Sequence, residues 1–356
     1  MAADDPQAET RSPAEVLAER LSVLARRRFH ASSGIARLTR LTAGATQEIW
    51  RFDLTHDGGS DTPLILRRTP ASRAAAAAAA AANNTGAAAQ ATGSSISLDV
   101  EAAVIRLAYD AHVPAPAVKY VLAPEDNMGV GFIMEYVDGE TLGGRIVRDE
   151  RFAATRPKLA RQCGEILAKI HSIAPGEAPQ LRHQTPAELV AHWRGSYDNT
   201  NWPRPVFDLA FRWLAERLPP PGEPTLVHGD FRNGNLMFRP AEGVVAVLDW
   251  ELAHVGDPME DLGWICVNPW RFGVVDKPVG GFGEREDLYA GYEAVSGERV
   301  NREHVQFWEV FGALRWGVMC AGMTAAFRVG DPSVERSVIA RRASETEVDL
   351  MRMLAS

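Results

Sequence analysis

Three oxygen-bearing side chains within residues 225–263, TLVHGDFRNGNLMFRPAEGVVAVLDWELAHVGDPMEDLG, are spaced so that they could act on one substrate. Asp230 follows His228-Gly229, Asn235 comes five residues later, and Asp249 ends the second of two short apolar runs. Those runs, Leu236-Phe238 and Val244-Leu248, are separated by a Pro- and Gly-containing turn. A hairpin of that size holds its two ends close together, so the three side chains should converge. One carboxylate left over to receive a hydroxyl proton, plus an amide oxygen and a second carboxylate as hard ligands, is the equipment of magnesium-assisted phosphoryl transfer. On that reading Asn235 and Asp249 take the metal and Asp230 is the base. Taken singly the parts say less: His-Gly-Asp is usually a turn, and an Asp at a strand end is often a helix cap.

The order of the motifs says more than any one of them. HGD-x4-N, a short hairpin, LDWE and GDPMEDL resemble the aminoglycoside phosphotransferase/choline kinase family, built on the protein-kinase-like fold. The likeness is greatest to the branch linked to acyl-CoA dehydrogenases, in which HGDFRxGNLMF, LDWE and GDPxxDLGW run in the same order. The resemblance implies an α+β, two-lobed molecule that uses ATP and magnesium to phosphorylate a small hydroxylated molecule. Hydroxyacyl-CoA is the acceptor suggested by that branch. Aminoglycoside or choline-type kinases are the alternatives, as is a catalytically silent nucleotide-binding module.

Composition agrees with a globular protein that does not bind nucleic acid. The 356 residues are 46% apolar and 24% charged, with a formal charge of −8, whereas phosphate backbones need a basic surface. Three scattered cysteines, Cys163, Cys266 and Cys320, show no metal-ligand spacing and read as reduced core thiols of a cytoplasmic protein. The acidic start, MAADDPQAET, has no apolar signal core, and the Ala74–Ala82 run is too short for a membrane span.

Along the chain, residues 1–11 read as a disordered tail and 12–137 as the N-terminal lobe. Ser12-Pro13-Ala14-Glu15 is a capping box with Pro at the first helical position, opening a helix to about Phe29. Strands are expected over Ile35–Thr42, Gln47–Leu54 and Pro63–Thr69, then a low-complexity linker over 71–97, then a helix over Leu98–Ala111. Pro114–Ala123 and Val130–Val137 read as two further strands. Residues 138–356 form the second lobe, mostly helical, with helices over Phe152–Ile173, Pro186–Tyr197, Val206–Leu218, Glu284–Ser296, Arg302–Arg328 and Pro332–Met353.

The resemblance assigns further roles. Gly44, at the tip of the first hairpin, would cover the nucleotide phosphates, though it serves equally as a plain turn. Arg67 stands on the third strand where the family places a lysine for the α- and β-phosphates, and Glu101 matches the helix glutamate that pairs with that cation. Arg68 reads as a solvated strand-end arginine. Backbone groups of Glu135 and Val137 would hold the adenine edge. Arg232 would touch the transferring phosphate, and His228 would support the loop. Asp261 would tie the loop backbone from a buried helix, and Asp257 would cap that helix. Trp264, Trp270, Phe272, Trp308 and Trp316 form an aromatic-rich region, mostly core, from which one or two rings would line a substrate pocket.

Overall fold

The computed structural model describes residues 12–30, 32–43, 47–71, 73, 95–178, 180–328 and 334–355. The tail at 1–11, Gly44 and nearly all of the 71–97 linker lie outside these residues. The chain divides into two compact units. Described residues of Met1–Thr85 and Pro116–Tyr136 make the first, and those of Gly86–Ala115 and Val137–Ser356 the second.

In the first unit, helix α1 (Pro13–Arg28) starts as the capping box dictates: Glu15 N donates to Ser12 Oγ at 3.3 Å, and Ser12 N to Glu15 Oε2 at 2.7 Å. An antiparallel sheet follows, made of β1 (Ser32–Ala43), β2 (Glu48–His56), β3 (Thr62–Thr69), β4 (Val118–Val121) and β5 (Val130–Glu135), ordered β1-β2-β3-β5-β4. Leu17, Leu21 and Leu24 of α1 bury against Phe52, Leu64 and Leu66 of the sheet. That stripe is the one its 3.6-residue period predicts. β4 is shorter than the expected Pro114–Ala123 because Pro114 and Pro116 have no N–H to give a ladder. β3 and β5 approach so closely at Gly131 that a Cβ there would sit 2.3 Å from the Arg67 carbonyl oxygen.

One expectation in this sheet is overturned. Arg68 is not a solvated strand-end residue; it is 8% exposed and donates through Nη2 to Glu48 Oε2 at 2.8 Å and through Nη1 to the Met128 carbonyl at 3.1 Å. Glu48 stands directly opposite Arg68 in the β2–β3 register, so two long side chains on one face meet and are covered together.

The second unit contains helix α2 (Leu98–Asp110), which the sequence reading placed with the N-terminal lobe. Backbone bonds on either side of it explain the difference. Ile96 N donates to Glu251 O at 2.8 Å before the helix, and Val247 N donates to Pro114 O at 2.7 Å after it. The remaining long helices are α3 (Arg156–His171), α4 (Pro186–Asp198), α5 (Pro205–Glu216), α6 (Arg285–Ser296) and α7 (Arg302–Arg328). α3 begins later than expected, with Pro157 in its first turn after a separate 3-10 turn at Glu150–Phe152. The expected closing helix is two, α8 (Val334–Ala340) and α9 (Ala343–Leu354); the break at Arg341-Arg342 lets Ala343, Thr346 and Leu350 turn inward.

Two glycine crossings set how these helices pack. On α3, a Cβ at Gly164 would lie 2.0 Å from the Leu288 carbonyl of α6, and on α6 one at Gly291 would lie 2.1 Å from the Arg161 carbonyl of α3. The backbones therefore touch, which brings His171, at the end of α3, against Tyr292 of α6. Among the described residues, no helix is long and apolar enough to cross a membrane.

Candidate active site

Residues 225–263 form two small antiparallel pairs within the second unit. Strand β6 (Thr225–Val227) pairs with β9 (His254–Gly256), and β7 (Leu236–Arg239) pairs with β8 (Gly243–Val247). The loop after β6 carries His228, Gly229 and Asp230. Gly229 has φ +78°, and a Cβ would lie 2.5 Å from the Leu252 carbonyl oxygen, so the chain turns there only with glycine.

The Asp230 carboxylate is the most heavily hydrogen-bonded point of the loop. Oδ1 accepts from Trp264 Nε1 at 2.7 Å, and Oδ2 accepts from Asn235 Nδ2 at 2.6 Å. Arg232 Nε straddles both oxygens, at 3.1 and 3.2 Å. The Arg232 guanidinium also lies 4.4 Å from the Trp270 ring centroid, so this half-buried arginine is held on two sides.

Asn235 and Asp249 are brought together by the hairpin. Leu236 faces Val247 in the β7–β8 register, and Leu248 N donates to Asn235 O at 2.8 Å, extending the ladder one step beyond the strands. Asp249 is therefore the next residue along from Asn235's partner. Its φ is +63°, a left-handed conformation that costs a non-glycine residue energy and persists where function or packing demands it. The Asn235 amide nitrogen is committed to Asp230, through both Oδ2 and the main-chain oxygen, so the end that could ligate a metal is its carbonyl oxygen. An amide oxygen and a carboxylate are donor types that magnesium takes, with few protein ligands and a shell filled by phosphate oxygens and water. No group of three or more His, Cys, Asp or Glu suited to a metal is present among the described residues.

A buried aspartate holds this loop in place. Asp261, on the short helix Met259–Trp264, is fully buried; Oδ2 accepts from His228 N at 2.8 Å and Oδ1 from Gly229 N at 3.0 Å. His171 Nε2 lies 3.2 Å from Oδ2, with Nδ1 3.1 Å from the Tyr292 hydroxyl. Burial alone would raise the Asp261 carboxyl, but the His171 and His228 contacts outweigh it and hold it below the usual aspartate range. His228 is pushed down by burial, partly countered by Asp261 and Asp230. Its Nδ1 accepts from Asp230 N at 3.2 Å while Nε2 faces the Leu248 carbonyl at 3.1 Å, so the ring ties the loop to the end of β8. Arg315 Nη1 donates to Gly229 O at 3.2 Å and its guanidinium lies 4.5 Å from the Trp264 ring. Asn233 Nδ2 donates to Gly280 O at 2.7 Å.

Thus His228, Asp230, Arg232, Asn235 and Asp261 share one bonded network. Asp257 is bonded elsewhere, accepting from Met259 N at 2.9 Å at the helix start and lying 3.1 Å from His304. Arg67, in the first unit, is 8% exposed and donates to Gln47 at 2.7 Å; Glu101, in the second, is fully buried and so is no surface glutamate. Glu135 ends β5, and Val137 begins the main segment of the second unit. The three thiols are buried; burial pushes Cys266 and Cys320 up to about 12, and Cys163 upward too, so none is a thiolate nucleophile. A cavity of about 1070 Å³ in the second unit is walled partly by His171, Tyr292 and Asp257, but Asp230 does not line it.

Trp264, His171 and Arg315 are neighbours of the loop network that the sequence pattern did not place there. For Trp264 a signal existed: it lies three residues after Asp261 on a helix, hence on the same face. His171 and Arg315 come from α3 and α7, far from the motif, and only packing delivers them.

Comparison with known proteins bears on this geometry. A family model described as Phosphotransferase enzyme family (APH) matches residues 37–297. Acyl-CoA dehydrogenase family member 11 of Gallus gallus is 28% identical over 271 residues, 67% of this chain and 33% of that protein. The chain spans a third or less of the length of the curated relatives it matches first, from 17% to 33%. Among solved structures, a putative aminoglycoside phosphotransferase from Ralstonia eutropha JMP134 superposes with TM-score 0.73 at 20% identity, covering 94% of this chain and 97% of that one. Aminoglycoside phosphotransferase APH(4)-Ia, as a thermostable mutant in ternary complex with AMP-PNP and hygromycin B, gives TM-score 0.58 at 16% identity, covering 94% and 99%. At these identities the structures speak for the fold, and it is the α+β, protein-kinase-like class expected from the sequence.

Proposed function

The chain belongs to the phosphotransferase enzyme family, and from that membership and the donors gathered on Asp230 we propose an ATP-dependent kinase that phosphorylates a hydroxyl of a small metabolite. The observation that carries this reading is the Asp230 carboxylate, held by three donors and joined through Asn235 to the rung preceding Asp249. Asp230 orients the acceptor hydroxyl and receives its proton as the oxygen attacks the γ-phosphorus; the bond to the β-phosphate oxygen breaks and ADP leaves. Asn235 Oδ1 and the Asp249 carboxylate would hold magnesium, which would supply neutralisation of phosphate charge. Arg232, on the same carboxylate, contacts the transferring phosphate. Arg67 serves the α- and β-phosphates and the Glu135 backbone the adenine; Arg67→Ala should accordingly raise KM for ATP several-fold.

For the acceptor, two features favour a hydroxyacyl-CoA over a polycationic sugar. Curated relatives carry acyl-CoA dehydrogenase names. Arg232, Arg315 and Arg342 lie over Trp270, Trp264 and Trp316, surroundings that suit a partly apolar, anionic molecule. The test is ATP consumption in magnesium buffer with hydroxyacyl-CoAs, aminoglycosides and choline as acceptors, run on the wild type and Asp249→Ala. Turnover with one acceptor class and its loss in the variant support the reading. Near-wild-type turnover in Asp249→Ala sinks the metal assignment, and preference for an aminoglycoside or choline sinks the acyl-CoA one.

A further inference from the structure

An ionised carboxylate offers about four lone-pair positions. On Asp230, Oδ1 accepts from Trp264 Nε1 at 2.7 Å and Oδ2 from Asn235 Nδ2 at 2.6 Å, while Arg232 Nε sits nearly equidistant from both oxygens. An incoming hydroxyl must replace one of these donors. Trp264 cannot give way easily: it is 3% exposed, on a helix whose Gly263 presses on the backbone of Trp308, with Trp270 at 5.2 Å and Arg315 at 4.5 Å around its ring. Asn235 is tied at both its main-chain ends, N to Arg232 O and O to Leu248 N. Arg232 is the most exposed of the three, at 24% of its side chain, on a long flexible stem.

We infer that Trp264 is a positioning residue for phosphoryl transfer: with Asn235 it clamps the plane of the Asp230 carboxylate, while Arg232 is the exchangeable donor whose place the acceptor hydroxyl takes. The released guanidinium stays within reach of the phosphate that it is proposed to contact. This rests on Asp230 being the proton acceptor. A tryptophan does this better than a hydroxyl-bearing side chain would, because its N–H only donates and so never competes for the substrate proton.

The test uses the full chain and hydrolysis of magnesium-ATP, with water standing in for the acceptor. Trp264→Phe keeps the ring and deletes the donor; loss of alignment of this kind costs roughly 10- to 100-fold in kcat. KM for ATP should stay within about threefold, since the Trp264 N–H is spent on the Asp230 carboxylate. The decisive arm is the double variant. If Trp264 acts through Asp230, Trp264→Phe should slow Asp230→Asn no further, whereas a purely structural role would multiply the two losses. Trp308→Phe, which trims a buried neighbour without touching Asp230, serves as the packing control. Unchanged kcat in Trp264→Phe, an equal loss in Trp308→Phe, or additive losses in the double variant would each overturn the inference. Near-wild-type rate in Asp230→Asn alone would instead overturn the reading on which it rests.

Discussion

Glu48 and Asp261 are both buried carboxylates, one in each unit, and they are satisfied by different kinds of partner. Glu48 lies in a regular sheet and meets side chains: Arg68 directly across the ladder, at 2.8 Å, and Trp50 Nε1 at 3.1 Å. Burial would raise its carboxyl, but those bonds hold it below the usual range. Asp261 meets the main chain of an irregular loop, at His228 N and Gly229 N, with His171 behind it. In the sheet the strand backbones already bond one another, and the ion pair meets the main chain through Arg68 Nη1 at Met128 O, so the pair should be exchangeable for apolar side chains. In the loop the backbone N–H groups have no ladder, so the carboxylate is the structure. The same burial of charge is therefore replaceable in one unit and irreplaceable in the other.

That contrast is open to direct attack, and the largest effect belongs to the loop. Asp261→Ala orphans two buried N–H groups and should cost about 3–5 kcal/mol in chemical denaturation, with at least ~100-fold loss of ATP turnover. Converting Asp261 and His171 together to leucine should not recover it; recovery would mean that the loop closes without a carboxylate. In the sheet, Glu48→Ala alone strands Arg68 and should cost about 3 kcal/mol, whereas Glu48→Leu with Arg68→Met should come within ~1 kcal/mol of wild type. A double variant as weak as the single one would erase the distinction between the units. Gly229→Ala forces a side chain into a left-handed turn against the Leu252 carbonyl. It should destabilise by ~1–3 kcal/mol and lower turnover without changing the secondary structure seen by circular dichroism.

The smallest effect is a pH dependence at His254. Burial pushes this imidazole down, but Glu260, at 3.2 Å, more than compensates, so its folded value lies above the ordinary one. A raised histidine contributes stability that is complete below the unfolded value of ~6.5 and is lost as pH rises through the folded value. His254→Gln should flatten that alkaline decline in the denaturation midpoint; an unchanged slope would assign the decline elsewhere.

How much of this was legible beforehand follows from what kind of force acts. The capping box at Ser12, the stripe Leu17-Leu21-Leu24, the span Arg302–Arg328 and the hairpin that presents Asn235 and Asp249 are all local consequences of period, turn chemistry and caps. A sequence carries these because the interacting residues are a few positions apart. The family, too, was readable from HGD, LDWE and GDPMEDL, since their order is linear information. The burial of Arg68 was not, because it depends on Glu48 facing it across a ladder and on Met128 covering it. Nor was the membership of α2 in the second unit, fixed by backbone bonds to Glu251 and Val247. Trp264, His171 and Arg315 reach the loop only because glycines at 164, 263 and 291 let helix backbones touch. Sequence determined which atoms could do chemistry. Tertiary structure decided which donors hold them still, because a hydrogen bond between residues dozens of positions apart exists only once the intervening chain has packed.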